Sequence, residues 1–225
     1  GDHGPYGRFG DLSEGNLEWR KRQIVLAATA LMPSVNAVSE LADRGAAADL
    51  LANIQGARYP EYYSAERPIA GFSVAEVEAA AFRGDEIPTL RASAQARAYV
   101  ARWLEGRAVG RKPISVTLRE ADNATGKNSN LAAWGAFLTG LDTDKYFPFV
   151  IRDTDRVFDS EPIELAGIEQ FPLAAVNIEL RAAAYELSHL NLVGSSGPTL
   201  LCLFGADVRC LIFNLGVPGW FDTTP

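Results

Sequence analysis

Residues 176–213 read VNIELRAAAYELSHLNLVGSSGPTLLCLFGADVRCLIF. An alanine-rich helical run leads into the apolar run LNLVG. A Gly-Ser-Ser-Gly-Pro turn then opens the short helix SGPTLLCLFG, and VRCLIF follows as a strand. The same rhythm precedes this stretch, with ISVTLR after Pro113, the helix LAAWGAFLTGL, the strand run YFPFVIRD, and one helix from Val176 to Leu187. Apolar runs of about five residues alternating with helices predict a parallel sheet covered on both faces. Short connections suit right-handed crossovers. Strands are therefore expected at 113–119, 147–152, 190–193 and 208–213, all parallel in one sheet. Residues 111–225 read as an α/β, Rossmann-like domain.

Residues 1–110 read as a mostly helical N-terminal part and linker, an incomplete portion that could serve as a partial acceptor domain. A Gly-rich opening leads into LEWRKRQIVLAATALMP, where Leu17, Ile24, Leu26 and Leu31 give a helical apolar stripe and Pro33 stops it. The stretch ARYPEYYSAERP is irregular. Ser73 and Glu76 form a capping box, and Gly84 ends that helix. A third helix, TLRASAQARAYVARWLEGR, places Ala94, Ala98 or Tyr99, and Trp103 along one face.

The 225 residues are 48% hydrophobic and 22% charged, a profile that excludes wholesale disorder. The net charge of −7 and the sequence pI of about 4.9 exclude a broad nucleic-acid surface. Residues 1–110 hold 12 Lys and Arg against 14 Asp and Glu, and the rest 9 against 14, so any phosphate site in the second half is local. The longest apolar run, Ile24 to Met32, is far short of the roughly 20 residues of a membrane span. Two cysteines, Cys202 and Cys210, lie among apolar neighbours, which predicts reduced thiols and a cytoplasmic location. The opening Gly-Asp-His lacks the features of a signal peptide and reads as a trimmed start.

In an open parallel sheet, ligands bind at the carboxyl ends of the strands. Two loops stand out there. LREADNATGKNSN, residues 118–130, puts Arg119 at a strand end, Lys127 in the loop, and Asn128 or Ser129 at a helix N-cap, a set suited to an anion. LVGSSGPTLL, residues 192–201, uses Gly194 and Gly197 to turn tightly, while Ser195, Ser196 and Thr199 supply hydroxyls and the helix start supplies N–H groups. It is neither a Walker loop nor a GxGxxG fingerprint. Each loop also reads as an ordinary strand-to-helix turn.

The run IELRAAAYELSHLNLVGSSGPTLLCLFGADVRCLIF resembles the donor-binding segment of GT-B glycosyltransferases, with versions in bacterial heptosyltransferases and fucosyltransferase-like proteins. VTLRE with NSNLAAWGAFL is similar to the first strand and helix of the same C-terminal domain, so the resemblance covers roughly residues 112–217. It implies a GT-B type C-terminal domain and a nucleotide-diphosphate sugar as donor substrate. Ser195, Ser196 and Gly197 would then hold the diphosphate, with Arg119 and Lys127 as charge partners. Ser195 stands where the family often carries an acid. The reaction implied is metal-independent transfer to an acceptor hydroxyl on a glycan, lipid or protein, without a resident cofactor.

A base for that hydroxyl is sought in His3 or Asp11, which share a Gly-rich segment with Asp2. His189, in a helix-to-strand turn, reads as a packed or surface histidine. Asp153 and Asp155 form a DxD among Arg152 and Arg156 and read as paired surface charges rather than a metal site. Arg20-Lys21-Arg22 reads as a solvated face that a peripheral membrane contact could also use. The alternative function is a non-catalytic binding or assembly module on the same fold.

Overall fold

The apolar runs become strands β1 (Lys112–Thr117) and β2 (Tyr146–Ile151), then, after the short β3 (Glu169–Gln170), β4 (Leu190–Gly194) and β5 (Cys210–Phe213). These are seen in a computed structural model that describes residues 14–55, 64, 79–122 and 125–213. The five strands form one sheet in the order β3-β2-β1-β4-β5, and each pairing between neighbours is parallel. The domain is Rossmann-like α/β, as the alternating pattern predicts. Only β3 has no counterpart in the sequence reading: two polar residues carry no apolar signal.

Helices α1 (Glu14–Arg20), α2 (Arg44–Asn53) and α3 (Ala94–Ala108) precede the sheet. Helices α4 (Leu131–Thr139), α5 (Pro172–Val176), α6 (Ile178–Leu187) and α7 (Thr199–Leu203) alternate with its strands. The chain divides into two compact units: Gly1–Trp19 with Asn36–Pro88, and Arg20–Val35 with Thr89–Pro225. In the first unit Asp43 caps α2 by accepting from the Ala46 N–H. Gly84, at φ +82°, ends a helical turn there as expected, with its N–H on the Ala81 carbonyl and the Asp85 N–H on Ala80. The proposed cap at Ser73 and Glu76 lies outside the described residues.

In the second unit both faces of the sheet are covered. One carries Phe147, Phe149 and Ile151 of β2 against Val100 and Leu104 of α3 and Ala183 to Tyr185 of α6. The other packs Ile114 and Val116 of β1 with Leu192 against Leu138 of α4. Strand alternation explains the division, since successive side chains leave opposite faces. On β1 it turns Ser115 and Thr117 towards α6, where both are buried but satisfied. The Ser115 hydroxyl donates to Asn191 Oδ1 at 2.5 Å, and Thr117 shares a 2.6 Å hydrogen bond with the Tyr185 phenol. Helix α4 approaches so closely that a Cβ on Gly135 would lie 2.1 Å from the Glu164 carbonyl oxygen. That position admits glycine alone without a backbone shift.

Three local expectations are corrected. The buried stripe of α3 is Ala96, Val100, Leu104 and Ala108, while Ala94, Ala98 and Tyr99 are exposed. Trp103 does pack inward, stacked 4.4 Å from Phe171. The long first helix is instead α1, a π-helical segment Lys21–Leu26 and a 3₁₀ turn Thr29–Leu31. Of its four stripe residues only Leu31 is buried. The helix expected from Val176 to Leu187 breaks at Asn177, whose extended backbone and side chain cap α6 through the Leu180 N–H. Arg181 bridges the break by donating to the Ala174 and Ala175 carbonyls at the end of α5.

Candidate functional site

The strand order reverses between β1 and β4, because the chain runs outward through β2 and β3 and returns to β1's other side. In open α/β sheets, ligand crevices form at the carboxyl ends of the strands flanking such a reversal. Thr117 of β1 pairs with Val193 of β4, so the loops beginning at Leu118 and Ser195 leave one edge side by side. The two loops singled out in the sequence therefore flank the switch point.

The loop after β1 is tied down by side chains. The Arg119 N–H donates to the Ser129 hydroxyl at 2.9 Å, and the Ser129 N–H returns to the Arg119 carbonyl at 2.8 Å. Asn128 grips Ala121 in the same reciprocal way, its oxygen accepting from the Ala121 N–H and its amide donating to the Ala121 carbonyl. Neither residue caps a helix, which corrects the expectation for Asn128 or Ser129. Asn130 caps α4 by accepting from the Ala133 N–H. The helix start is thus capped, and its contribution to an anion cradle is reduced. Lys127 ends a 3₁₀ turn, half-buried and engaged with other groups. Arg119 is half-buried and also engaged elsewhere, and its Nε is buried without a hydrogen bond of its own.

The loop after β4 closes on itself. The Ser195 N–H pairs with the Phe213 carbonyl of β5, and the Ser196 N–H reaches the Thr199 hydroxyl at 3.3 Å. Thr199, buried, donates its hydroxyl to the Gly194 carbonyl, and the Ser196 hydroxyl points to the same oxygen at 3.4 Å. The N–H groups of Thr199, Leu200 and Leu201 bond the carbonyls of Ser196, Gly197 and Pro198. Turn and helix start are largely saturated internally, so the expected row of open N–H groups is not presented. The Ser195 hydroxyl makes no hydrogen bond among the described residues, and Gly197 at the tip is exposed.

The loop after β2 brings a charged pair that sequence reasoning missed. Arg152, 5% exposed, donates from Nε and Nη2 to the two Glu120 oxygens at 3.0 and 2.7 Å; the Glu120 side chain is 11% exposed. Arg152 Nη1 reaches the Asp159 and Ser160 carbonyls, both at 3.3 Å. The Glu120 N–H donates to Asp153 Oδ2 at 3.1 Å. A signal existed: Glu120 follows the ISVTLR run and Arg152 directly continues YFPFVI, so both charges fall just beyond strands at the carboxyl edge.

Three further carboxylates near this pair carry ion pairs of their own. Asp155 meets Arg20 at 3.5 Å, and Arg156 bridges Asp122 and Asp159. The charges around the DxD are therefore engaged with one another. Among the described residues no group of three or more His, Cys, Asp and Glu is placed to hold a metal ion. His189 lies at the start of β4, at the amino edge, where its N–H bonds the Pro113 carbonyl. It is at the opposite end of the sheet from the crevice. His3 and Asp11 lie outside the described residues.

Beneath the edge, burial pushes the Tyr185 phenol up to about 12, with nearby Arg181 opposing. Burial, with Cys210 adding to it, pushes the Cys202 thiol up to about 12. Both groups keep their protons at neutral pH, and both cysteines are free thiols. No helix among the described residues is long and apolar enough to cross a membrane.

Compared with known proteins, the chain matches no family model, no curated protein and no solved structure.

Proposed function

We propose that this chain binds a nucleotide-diphosphate sugar at the crevice between β1 and β4 and transfers the sugar to an acceptor hydroxyl. One observation carries the reading: Thr117 and Val193 are register partners, so Arg119 and the Ser195–Ser196–Gly197 turn emerge together at the strand-order reversal. Glycosyl transfer needs negative charge stabilised on the departing diphosphate, which a fixed guanidinium does without a metal. The resemblance of residues 112–217 to GT-B donor domains supplies the sugar. Lys127 and Ser195 belong to the same two loops, and Thr199 opens the helix after the second.

Calorimetric titration with UDP, GDP and ADP tests it. Losing a charged hydrogen bond costs about 1.5–3 kcal/mol, so Arg119→Ala is expected to weaken the diphosphate that binds roughly ten- to a hundred-fold. Affinity for the matching nucleoside changes much less. Equal diphosphate binding by parent and variant overturns the assignment.

A second reading is a non-catalytic binding module. It is favoured by the saturated N–H groups of the Ser196–Leu201 turn. Nucleotide-sugar binding without sugar transfer to any acceptor supports it.

A further inference from the structure

The backbone of residues 119–121 is held from two directions. Ser129 and Asn128 fix Arg119 and Ala121, each through one donated and one accepted hydrogen bond. From the β2 side, Asp153 takes the Glu120 N–H and Arg152 takes both Glu120 carboxylate oxygens. The same guanidinium binds the Asp159 and Ser160 carbonyls, so one side chain joins the loops after β1 and β2. Stability alone does not account for such a pair. Burying two charges costs desolvation, and well-packed apolar residues often serve as well or better. A bidentate ion pair supplies what apolar packing lacks, one fixed geometry. It also neutralises the Glu120 carboxylate, which otherwise would repel an anion beside Arg119.

We infer that Glu120 and Arg152 are positioning residues, setting where the Arg119 guanidinium meets a diphosphate. This rests on the diphosphate reading above. A binding group held slightly out of place loses much of its effect, so the groups that support it govern affinity without touching the ligand.

The experiment compares the full chain with the double variant Glu120→Leu/Arg152→Met, titrating inorganic pyrophosphate and UDP, GDP and ADP and recording Tm for each protein. The double variant is expected to keep its Tm to within a few degrees, because no buried charge is left unpaired. Its Kd for pyrophosphate and for the diphosphate that binds is expected to rise by about tenfold or more. A folded double variant that binds as the parent does overturns the positioning role and leaves the diphosphate reading standing. A parent that binds neither pyrophosphate nor any of the three nucleotides overturns both. Should the double variant not fold, Glu120→Asp decides: it keeps both charges but shortens the reach, and is expected to weaken pyrophosphate several-fold. Unchanged affinity in that variant overturns the inference.

Discussion

The loops after β1 and β4 leave one sheet edge as neighbours, yet they are held by different means. After β4, Thr199 and Ser196 close a short turn on the Gly194 carbonyl, and residues within five positions satisfy most of it. After β1, the holding groups come from Asn128 and Ser129 farther along the loop and from Arg152 and Asp153 in the loop after β2. A self-contained turn keeps its shape wherever the chain places it. A loop fixed by distant side chains keeps its shape only in this fold, and it commits two buried charges to do so. The cost of ordering the chain is similar in both, about 1–2 kcal/mol per residue. The difference is that the β1 loop is built around a particular residue, Arg119.

Breaking the charged anchor gives the largest expected effect. Arg152→Ala leaves the Glu120 carboxylate at 11% exposure without its cation. Removing one partner of a buried pair costs about 3–5 kcal/mol, and urea unfolding of parent and variant measures it. A loss under about 1 kcal/mol, the range of exposed pairs, means that water reaches Glu120 and the anchor is an ordinary surface contact.

Alkaline pH probes beneath both loops. Tyr185 bonds Thr117 at the end of β1, and Cys202 lies in α7 after the β4 turn. Both folded values are raised by burial, from 10.0 and 9.0 to about 12. The folded chain therefore holds these protons while the unfolded chain releases them. Neither group affects stability well below the unfolded thiol's value of 9.0; their contribution falls as pH rises through it towards about 12, at most about 1.4 kcal/mol per pH unit for each group. Chemical denaturation across this range checks it. In Cys202→Ala the decline is expected to begin about one pH unit later, where the phenol takes over. An unchanged profile in that variant places the thiol outside the effect.

These contrasts track what the sequence made legible. The strands were legible because YFPFVI and LNLVG are apolar runs with turn residues after them, and their parallel direction followed from the helices between. The neighbouring positions of Arg119 and Ser195 followed in turn. The Glu120–Arg152 pair was not legible, because its partners are 32 positions apart and only the β1–β2 register brings them together. Charges in READ and IRDTDR look alike on paper, and burial alone separates Arg152 from Arg156. The break at Asn177 was hidden for another reason. Asn is tolerated within a helix, and what decides is Arg181, one turn onward, binding the carbonyls that the break releases.

The self-closed turn has its own test. Thr199→Val keeps the shape but removes the hydroxyl that serves both Gly194 and Ser196. An unsatisfied buried group costs about 1–3 kcal/mol, which thermal unfolding resolves. Ser195→Ala removes a hydroxyl with no hydrogen bond among the described residues and is expected to stay within about 0.5 kcal/mol. Equal costs for the two mean that the turn is held by its backbone alone, and the contrast with the β1 loop weakens.

The finest distinction is among three adjacent residues of the β1 loop. Asn130 caps α4, whereas Asn128 and Ser129 hold the Arg119–Ala121 backbone. Losing an N-cap costs about 1 kcal/mol, so Asn130→Ala is expected to lower stability by that amount in thermal unfolding. Its diphosphate affinity is expected to match the parent's, because no bond to Arg119 is lost. Ser129→Ala removes the acceptor of the Arg119 N–H and is expected to weaken diphosphate binding at a similar cost in stability. If instead Asn130→Ala loses affinity while Ser129→Ala keeps it, the α4 N-terminus meets the ligand and the β1 backbone does not. The anion would then be read by a helix start rather than by a guanidinium held in place, and the weight given to Glu120 and Arg152 would pass to Asn130.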